Sequence, residues 1–253
     1  MAPVSTRAVL LRGYDYGDTS RILRFYTLDH GLLSVVARGV RGRSGKGGSA
    51  VSSFSSGDLV AYVKPYGDLH TMKDFSSERA RPRIPLHVLR FAGAACLVEL
   101  VLSHAEQEPQ PMLFERLNEE LDRLDAAVAS ELPPAILSAL WRVTSVFGFE
   151  PELTACVHCG RSLGDDEVGR FDFEAGGLRC EACGHGPTGP RLGPIARGQV
   201  RALLEGSPPG ALTHPRRHLA LISDFVAHHV AQKPLKALRF LADRLPPDAD
   251  EPS

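Results

Sequence analysis

Between Thr6 and Phe75 the hydrophobic residues come in short runs of Val, Leu, Ile, Tyr and Phe, broken by clusters of Gly, Asp and Ser. Runs of this length with turn residues between them read as closely spaced strands. Five are predicted, at Arg7 to Gly13, Ser20 to Thr27, Leu32 to Arg38, Asp58 to Pro65 and Asp68 to Phe75, with turn chemistry at Tyr14 to Asp18, Asp29 to Gly31 and Tyr66-Gly67. Five short strands suit a small closed barrel, which leaves no sheet edge exposed, and the five-stranded Greek key of the OB type is the arrangement expected. From Ile84 the period becomes helical. A helix from Pro85 to about His104 has its buried face expected at Val88, Phe91, Ala92, Ala95 and Leu102. A second spans roughly Met112 to Ala129. In a third, Ile136, Leu140, Val143 and Phe147 recur at helical spacing between Pro133-Pro134 and Gly148. Arg197 to Leu204, His218 to Val230 and Pro234 to Leu245 read as three more helices, expected to pack on the first three.

These patterns predict an α+β multidomain chain: an OB-type β-barrel over residues 1–83, an all-helical domain in two parts, 84–150 and 191–245, and a cysteine-rich module inserted at 151–190. The tail 246–253 has little to bury and is expected to be disordered. Composition adds that 43% hydrophobic and 23% charged residues are ordinary for a globular chain, and no run approaches the roughly 18 to 20 apolar residues of a membrane span. The residues after Met1 do not read as a secretory signal, so a cytoplasmic protein is expected. The net charge of -1 hides an asymmetry: residues 1–83 hold 13 Lys+Arg against 7 Asp+Glu, whereas residues 84–150 hold 4 against 10. A basic first module attracts a polyanion locally even when the whole chain is near neutral.

The strongest motif is Cys156-Val157-His158-Cys159 with Cys180-Glu181-Ala182-Cys183, a C-x2-C-x20-C-x2-C spacing. Two residues between cysteines let both thiolates of a tight knuckle face one ion, and two knuckles complete the tetrahedral sulfur shell of a single structural Zn2+. Gly160 and Gly184 each follow the second cysteine of a pair, where positive φ is expected in both. Arg170 to Phe173 alternates before Gly176-Gly177, which predicts a hairpin between the knuckles and hence a zinc ribbon. Four thiolates leave no open position for a catalytic water, and the βαβ context of a redox dithiol is missing. His158 and His185 are expected bystanders. Cys96 reads as a small core residue.

The second informative stretch is Arg38 to Ser49, with Arg38, Arg41, Arg43 and Lys46 among five glycines. Val40 and Gly47 break the pattern of a phosphate-binding P-loop, so nucleoside triphosphate binding is rejected, and a loop that follows a sugar-phosphate backbone is expected instead. Arg21, Arg24, Lys64, Lys73, Arg79 and Arg81 belong to the same module, interleaved with aromatics that include Tyr14, Tyr16, Tyr26, Tyr62 and Tyr66. Cations with stacking rings suit single-stranded nucleic acid, although most of the rings are expected in the core. His214 and His218 lack the Glu of a metalloprotease motif, and His228-His229 point to different helix faces. No catalytic constellation is visible, so an enzyme is not expected.

The residues Ala8-Val9-Leu10, Tyr16-Gly17-Asp18-Thr19-Ser20-Arg21-Ile22-Leu23 and Gly31 to Arg41, followed by Phe147-Gly148-Phe149-Glu150-Pro151 before the first knuckle, resemble the bacterial recombination mediator family RecO over nearly the whole chain. The resemblance implies a non-enzymatic role: binding single- and double-stranded DNA, annealing complementary strands, and helping to load RecA on DNA coated by single-strand-binding protein, usually with RecR. It implies no membrane and association with the nucleoid. DNA contacts are then expected from Arg21, Arg24, Arg38, Arg41, Arg43, Lys46, Lys64 and Lys73. The family also implies a groove for the acidic tail of single-strand-binding protein, for which Arg116, Arg123 and Arg142 are the candidates; Arg216, Arg217, Lys233, Lys236 and Arg239 form a second basic group. An RNA-binding factor built on the same barrel and ribbon, and a hydrolase with a scattered site, remain the alternatives.

Overall fold

The structure, a computed structural model, describes residues 2–40, 52–105, 108–186, 189–230 and 234–249. Its strands are β1 (Val4–Tyr16), β2 (Ser20–Thr27), β3 (Gly31–Ala37), β4 (Ser56–Tyr62), β5 (Leu69–Arg79), β6 (Gly169–Asp172), β7 (Gly177–Arg179) and β8 (Arg191–Leu192). The helices are α1 (Val88–His104), α2 (Pro111–Ala126), α3 (Leu132–Val146), α4 (Pro194–Glu205), α5 (Pro215–His229) and α6 (Lys236–Ala242).

The first five strands close into a barrel in the order β1-β2-β3-β5-β4, with β4 paired back on β1 and only β3-β5 parallel. Period-2 alternation fills it: Leu23 and Phe25 of β2, Val35 and Ala37 of β3, and Leu59 and Ala61 of β4 point inward, and the Phe25 and Phe75 rings meet with centroids 5.0 Å apart. β1 runs past the predicted Gly13 to Tyr16, and its register with β2 shifts between Leu10 and Arg12. The extra residue, Leu11, reverses the alternation, because a slip of one residue turns each following side chain to the other face of the sheet.

The chain divides into two compact units, Met1–Ile84 with Ala105–Asp125 and Pro85–His104 with Ala126–Ser253. Expected in the helical domain, α2 instead belongs to the barrel's unit. The reason is Arg81, which is only 5% exposed. Its guanidinium donates to the Phe54 carbonyl, to Ser56 Oγ at 2.8 Å, to the Asn118 carbonyl at 3.2 Å and Oδ1 at 3.0 Å, and to Asp122 Oδ1 at 2.8 Å. Asp125 Oδ1 accepts from the backbone N–H groups of Arg83 and Ile84 at 2.8 and 3.0 Å.

In the second unit α1 is apolar nearly all round, and its buried residues include Ala92, Ala94, Cys96, Leu97, Leu100 and Val101. The expected face is corrected here: Val88 and Phe91 are 60% and 43% exposed. A helix apolar on every side carries no stripe from which periodicity could choose a face. Trp141 of α3 is fully buried and packs on Phe225 of α5, with ring centroids 5.2 Å apart. Glu99 of α1 accepts from the Lys236 and Ala237 N–H groups at 3.0 and 2.6 Å, which caps α6.

The expectation of disorder from residue 246 is corrected for the residues described. Asp248 is 3% exposed and accepts from the Arg216 N–H at 2.9 Å, and the Ala249 N–H donates to the Thr213 carbonyl at 3.0 Å. A carboxylate at the first turn of α5 answers helix donors that have no partner within the helix. Among the described residues no helix is long and apolar enough to cross a membrane.

Candidate metal centre and nucleic-acid interface

The Sγ atoms of Cys156, Cys159, Cys180 and Cys183 all lie within 4.8 Å of one another, and those of Cys159 and Cys180 are 3.9 Å apart. A tetrahedral shell with metal–sulfur bonds of about 2.3 Å has sulfur–sulfur edges of about 3.8 Å, so the four donors fit one ion. The first knuckle closes where the Gly160 N–H donates to the Cys156 carbonyl at 2.8 Å, with Gly160 at φ 72°. The second differs from the expectation. Glu181–Cys183 form a tight helical turn and Gly184 sits at φ -75°, so no left-handed residue is needed there. Burial pushes the Cys156 thiol up, but the N–H groups of Cys180, Cys159 and His158 outweigh it and bring the pKa to about 6, while Cys183, hydrogen-bonded to the other sulfurs, is pushed up to about 12, so without an ion the four share their protons unevenly. Cys180 is also held below the ordinary thiol value: burial opposes this, while the Cys183 N–H and the Arg161 side chain favour the thiolate. Arg161, which the sequence reading missed, is held in turn by two contacts to Glu167. It is an outer partner of the kind that orients metal ligands.

β6, β7 and β8 form a three-stranded sheet in the order β7-β6-β8, so the predicted hairpin gains one short strand. Among the described residues the metal-competent group contains no histidine, and His158 and His185 are both exposed bystanders. His228 stacks on Phe173 at 5.2 Å and His229 on Phe149 at 5.7 Å, which fixes the ribbon and the Phe149 segment against α5. His218 is buried with Nε2 2.8 Å from Gln199 Oε1.

On the barrel, Arg24 projects outward from β2 opposite Arg12 of β1 and Ser34 of β3. Arg12 was not singled out from sequence. It reaches this face because of the bulge at Leu11, and its guanidinium lies 5.5 Å from the centre of the Tyr14 ring. Arg21 faces Asp15 at 3.6 Å and lies so close over Gly13 that a Cβ there would stand 2.9 Å from Nη2. Arg38 is exposed just after β3, Lys64 lies in the β4-β5 connection and Lys73 at an irregularity in the β4-β5 pairing. Arg41, Arg43 and Lys46 lie outside the described residues. Two of the further cations are engaged elsewhere: Arg81 in the network above, and Arg79 with Asp122 at 2.7 Å. Tyr26 is buried with its hydroxyl 3.2 Å from the Gln110 N–H, while Tyr14, Tyr16 and Tyr66 are exposed.

Arg116 and Arg123 pair with Glu119 of their own helix at 2.6 and 2.9 Å. Arg142 lies in the other unit, against Gly206. Of the second basic group, Arg216 and Arg239 flank a groove of about 390 Å3 between α5 and α6, floored by Leu219, Leu235 and Leu238; Lys233 lies outside the described residues.

Residues 1–80 match the family model described as recombination protein O N terminal, and residues 87–239 match that described as recombination protein O C terminal. A DNA repair protein RecO from Desulfatibacillum aliphaticivorans is 33% identical over 254 residues, covering 96% of this chain and 98% of that protein. One from Anaeromyxobacter sp. (strain K) is 31% identical, with 95% and 96% covered. One from Prosthecochloris aestuarii is 28% identical, with 97% and 98% covered.

Proposed function

This chain belongs to the RecO family of recombination proteins, and from that premise we propose that it is a non-catalytic mediator of recombinational repair. It binds single- and double-stranded DNA, anneals complementary strands, and with RecR helps RecA onto DNA covered by single-strand-binding protein. The observation that carries this reading is the outer face of the barrel, where Arg12 and Arg24 stand side by side and Arg38 leads in sequence to Arg41, Arg43 and Lys46. Annealing needs two polyanions neutralised side by side, with no nucleophile and no redox centre. Lys64 belongs to the β4-β5 loop, which OB barrels use for oligonucleotides together with the β1-β2 loop; Arg21 and Lys73 are assigned to the same surface.

Cys156, Cys159, Cys180 and Cys183 hold one structural Zn2+, supported by the fit of their sulfur separations to a tetrahedral shell. Bound there, the ion supplies cohesion to a segment with little core of its own. For the acidic tail of single-strand-binding protein, the α5-α6 groove joins an apolar floor to Arg216 and Arg239. What favours it over Arg116 and Arg123 is the apolar floor of Leu219, Leu235 and Leu238, since cations of both sets already have partners: Arg216 donates to the Leu245 carbonyl, and Arg116 and Arg123 pair with Glu119.

The test is a titration of the purified chain with single-stranded DNA at several salt concentrations. Replacing Arg38, Arg41, Arg43 and Lys46 together by Ala should weaken binding and flatten the salt slope by about 0.7 for each phosphate no longer neutralised, while metal content stays the same. An unchanged slope would move the surface elsewhere. Absence of binding in dilute buffer would overturn the reading.

A further inference from the structure

On the β1-β2-β3 side of the barrel the outward side chains fall into two lateral rows. One is Arg12, Arg24 and Ser34; the next is Tyr14, Ile22 and Val36. Arg38 follows Val36 two residues on, so the second row, with Ile22 and Val36 half-buried and Tyr14 exposed, has Arg12 and Arg24 on one side and Arg38 along the chain on the other. Rows two residues apart along a strand are separated by about 6.6 Å. Like charges directly opposite one another destabilise a sheet, and Arg12 and Arg24 have no carboxylate partner among the described residues. Tyr14 is 43% exposed, and Tyr16, two residues further along β1 toward the β1-β2 turn, is 51% exposed. Exposed rings here are not leftovers of core packing, since the bulge at Leu11 directs Tyr14 away from the barrel interior.

We propose that this face is a base-stacking site for single-stranded DNA, in which Tyr14 carries an unpaired base on its ring and Arg12, Arg24 and Arg38 hold the flanking phosphates. The inference rests on the DNA-binding reading above and specifies it further. A base has a π-face open to stacking only when it is not enclosed in a duplex, so the site selects single strands through the ring and neutralises either form through the cations. Arg12 acts twice, as a phosphate contact and, at 5.5 Å from the ring centre, as a support that holds the Tyr14 ring in place.

The experiment uses the full chain with Tyr14→Ala and Tyr14→Phe, titrated with a thymidine oligonucleotide, with an abasic backbone of equal length and with duplex DNA at several salt concentrations. Tyr14→Ala should weaken thymidine-strand binding roughly 5- to 150-fold, the range expected for removal of one stacked base. The salt slope, the affinity for the abasic strand and the affinity for duplex should stay within about twofold of the unsubstituted protein, because every cation that meets a phosphate is still present. Tyr14→Phe should retain the affinity, since the ring and not the hydroxyl does the stacking. Equal weakening on thymidine and abasic strands, a changed slope, or a Phe variant as weak as the Ala variant would each overturn the proposal. Binding by the unsubstituted chain that ignores Tyr14→Ala removes this inference alone, whereas no binding by the unsubstituted chain removes the reading beneath it.

Discussion

Arg81 shows how one buried cation organises a unit. Its planar fork meets the Phe54 carbonyl, Ser56 Oγ and both oxygens of Asn118, and its Nε meets Asp122. Phe54 is in the left-handed region at φ 70°, the only non-glycine residue with positive φ among those described, and its carbonyl is fixed by this guanidinium. Lysine carries the same charge on a point rather than a fork and cannot reach these acceptors together. Arg81→Lys is therefore expected to lower the stability of the barrel unit by about 2 to 3 kcal/mol, the cost of leaving buried acceptors unmet. Urea denaturation followed by a barrel signal checks this, and an unchanged midpoint would show that the network is dispensable. From sequence Arg81 looked like one more surface cation, because its burial depends on Asn118 and Asp122, more than thirty residues away. Arg12 was hidden for the opposite reason: simple alternation from Leu10 gives no sign of the bulge that sets which way it and Tyr14 face.

Among the elements, legibility followed how local the determining interaction is. The knuckles were readable because the spacing of two cysteines across a tight turn is itself the geometry of the site, and the barrel strands because alternation is written in each strand separately. The side of α1 that is covered and the unit that claims α2 depend on partners distant in sequence, and neither was readable. The segment 246–249 looks polar and unstructured until Asp248 meets the first turn of α5. The ribbon is the element whose folding is most sensitive to one atom. Cys156→Ser should abolish stoichiometric metal binding and expose the β6 and β7 amides to rapid hydrogen exchange, since thiolate ligation and folding of such a segment are one equilibrium. Amides in β2 and β3 should keep their protection. Elemental analysis beside exchange measurements tests both halves, and retained metal at full stoichiometry would mean that the four sulfurs do not act as one site.

At the scale of the whole molecule, two buried titratable groups give the two units opposite responses to acid. Glu120, in the barrel's unit, has a fully buried side chain whose neighbouring cation, Arg116 at 3.6 Å, is turned toward Glu119. Burial raises its pKa from 4.5 to about 7, against the opposing pull of Arg123 and Arg116. Its folded pKa lies above the unfolded one, so the folded unit binds the extra proton; this contribution is complete below about 4.5 and is lost as the pH rises through about 7. His218, in the other unit, is lowered by burial from 6.5 to about 4, with Asp248 opposing and His214 assisting. There the unfolded chain binds the extra proton, so the contribution is complete above about 6.5 and is lost as the pH falls toward 4. Each amounts to about 3 kcal/mol at most. Global denaturation curves between pH 4.5 and 6.5 should therefore look nearly flat, while hydrogen exchange resolves barrel amides that lose protection as the pH rises and helical amides that gain it. Glu120→Gln should abolish the loss of barrel protection with rising pH, leave the opposite response of buried His70, whose pKa burial lowers, and not alter the second unit. Responses of the same sign in both units, after correction for the intrinsic pH dependence of exchange, would refute this assignment of opposing groups.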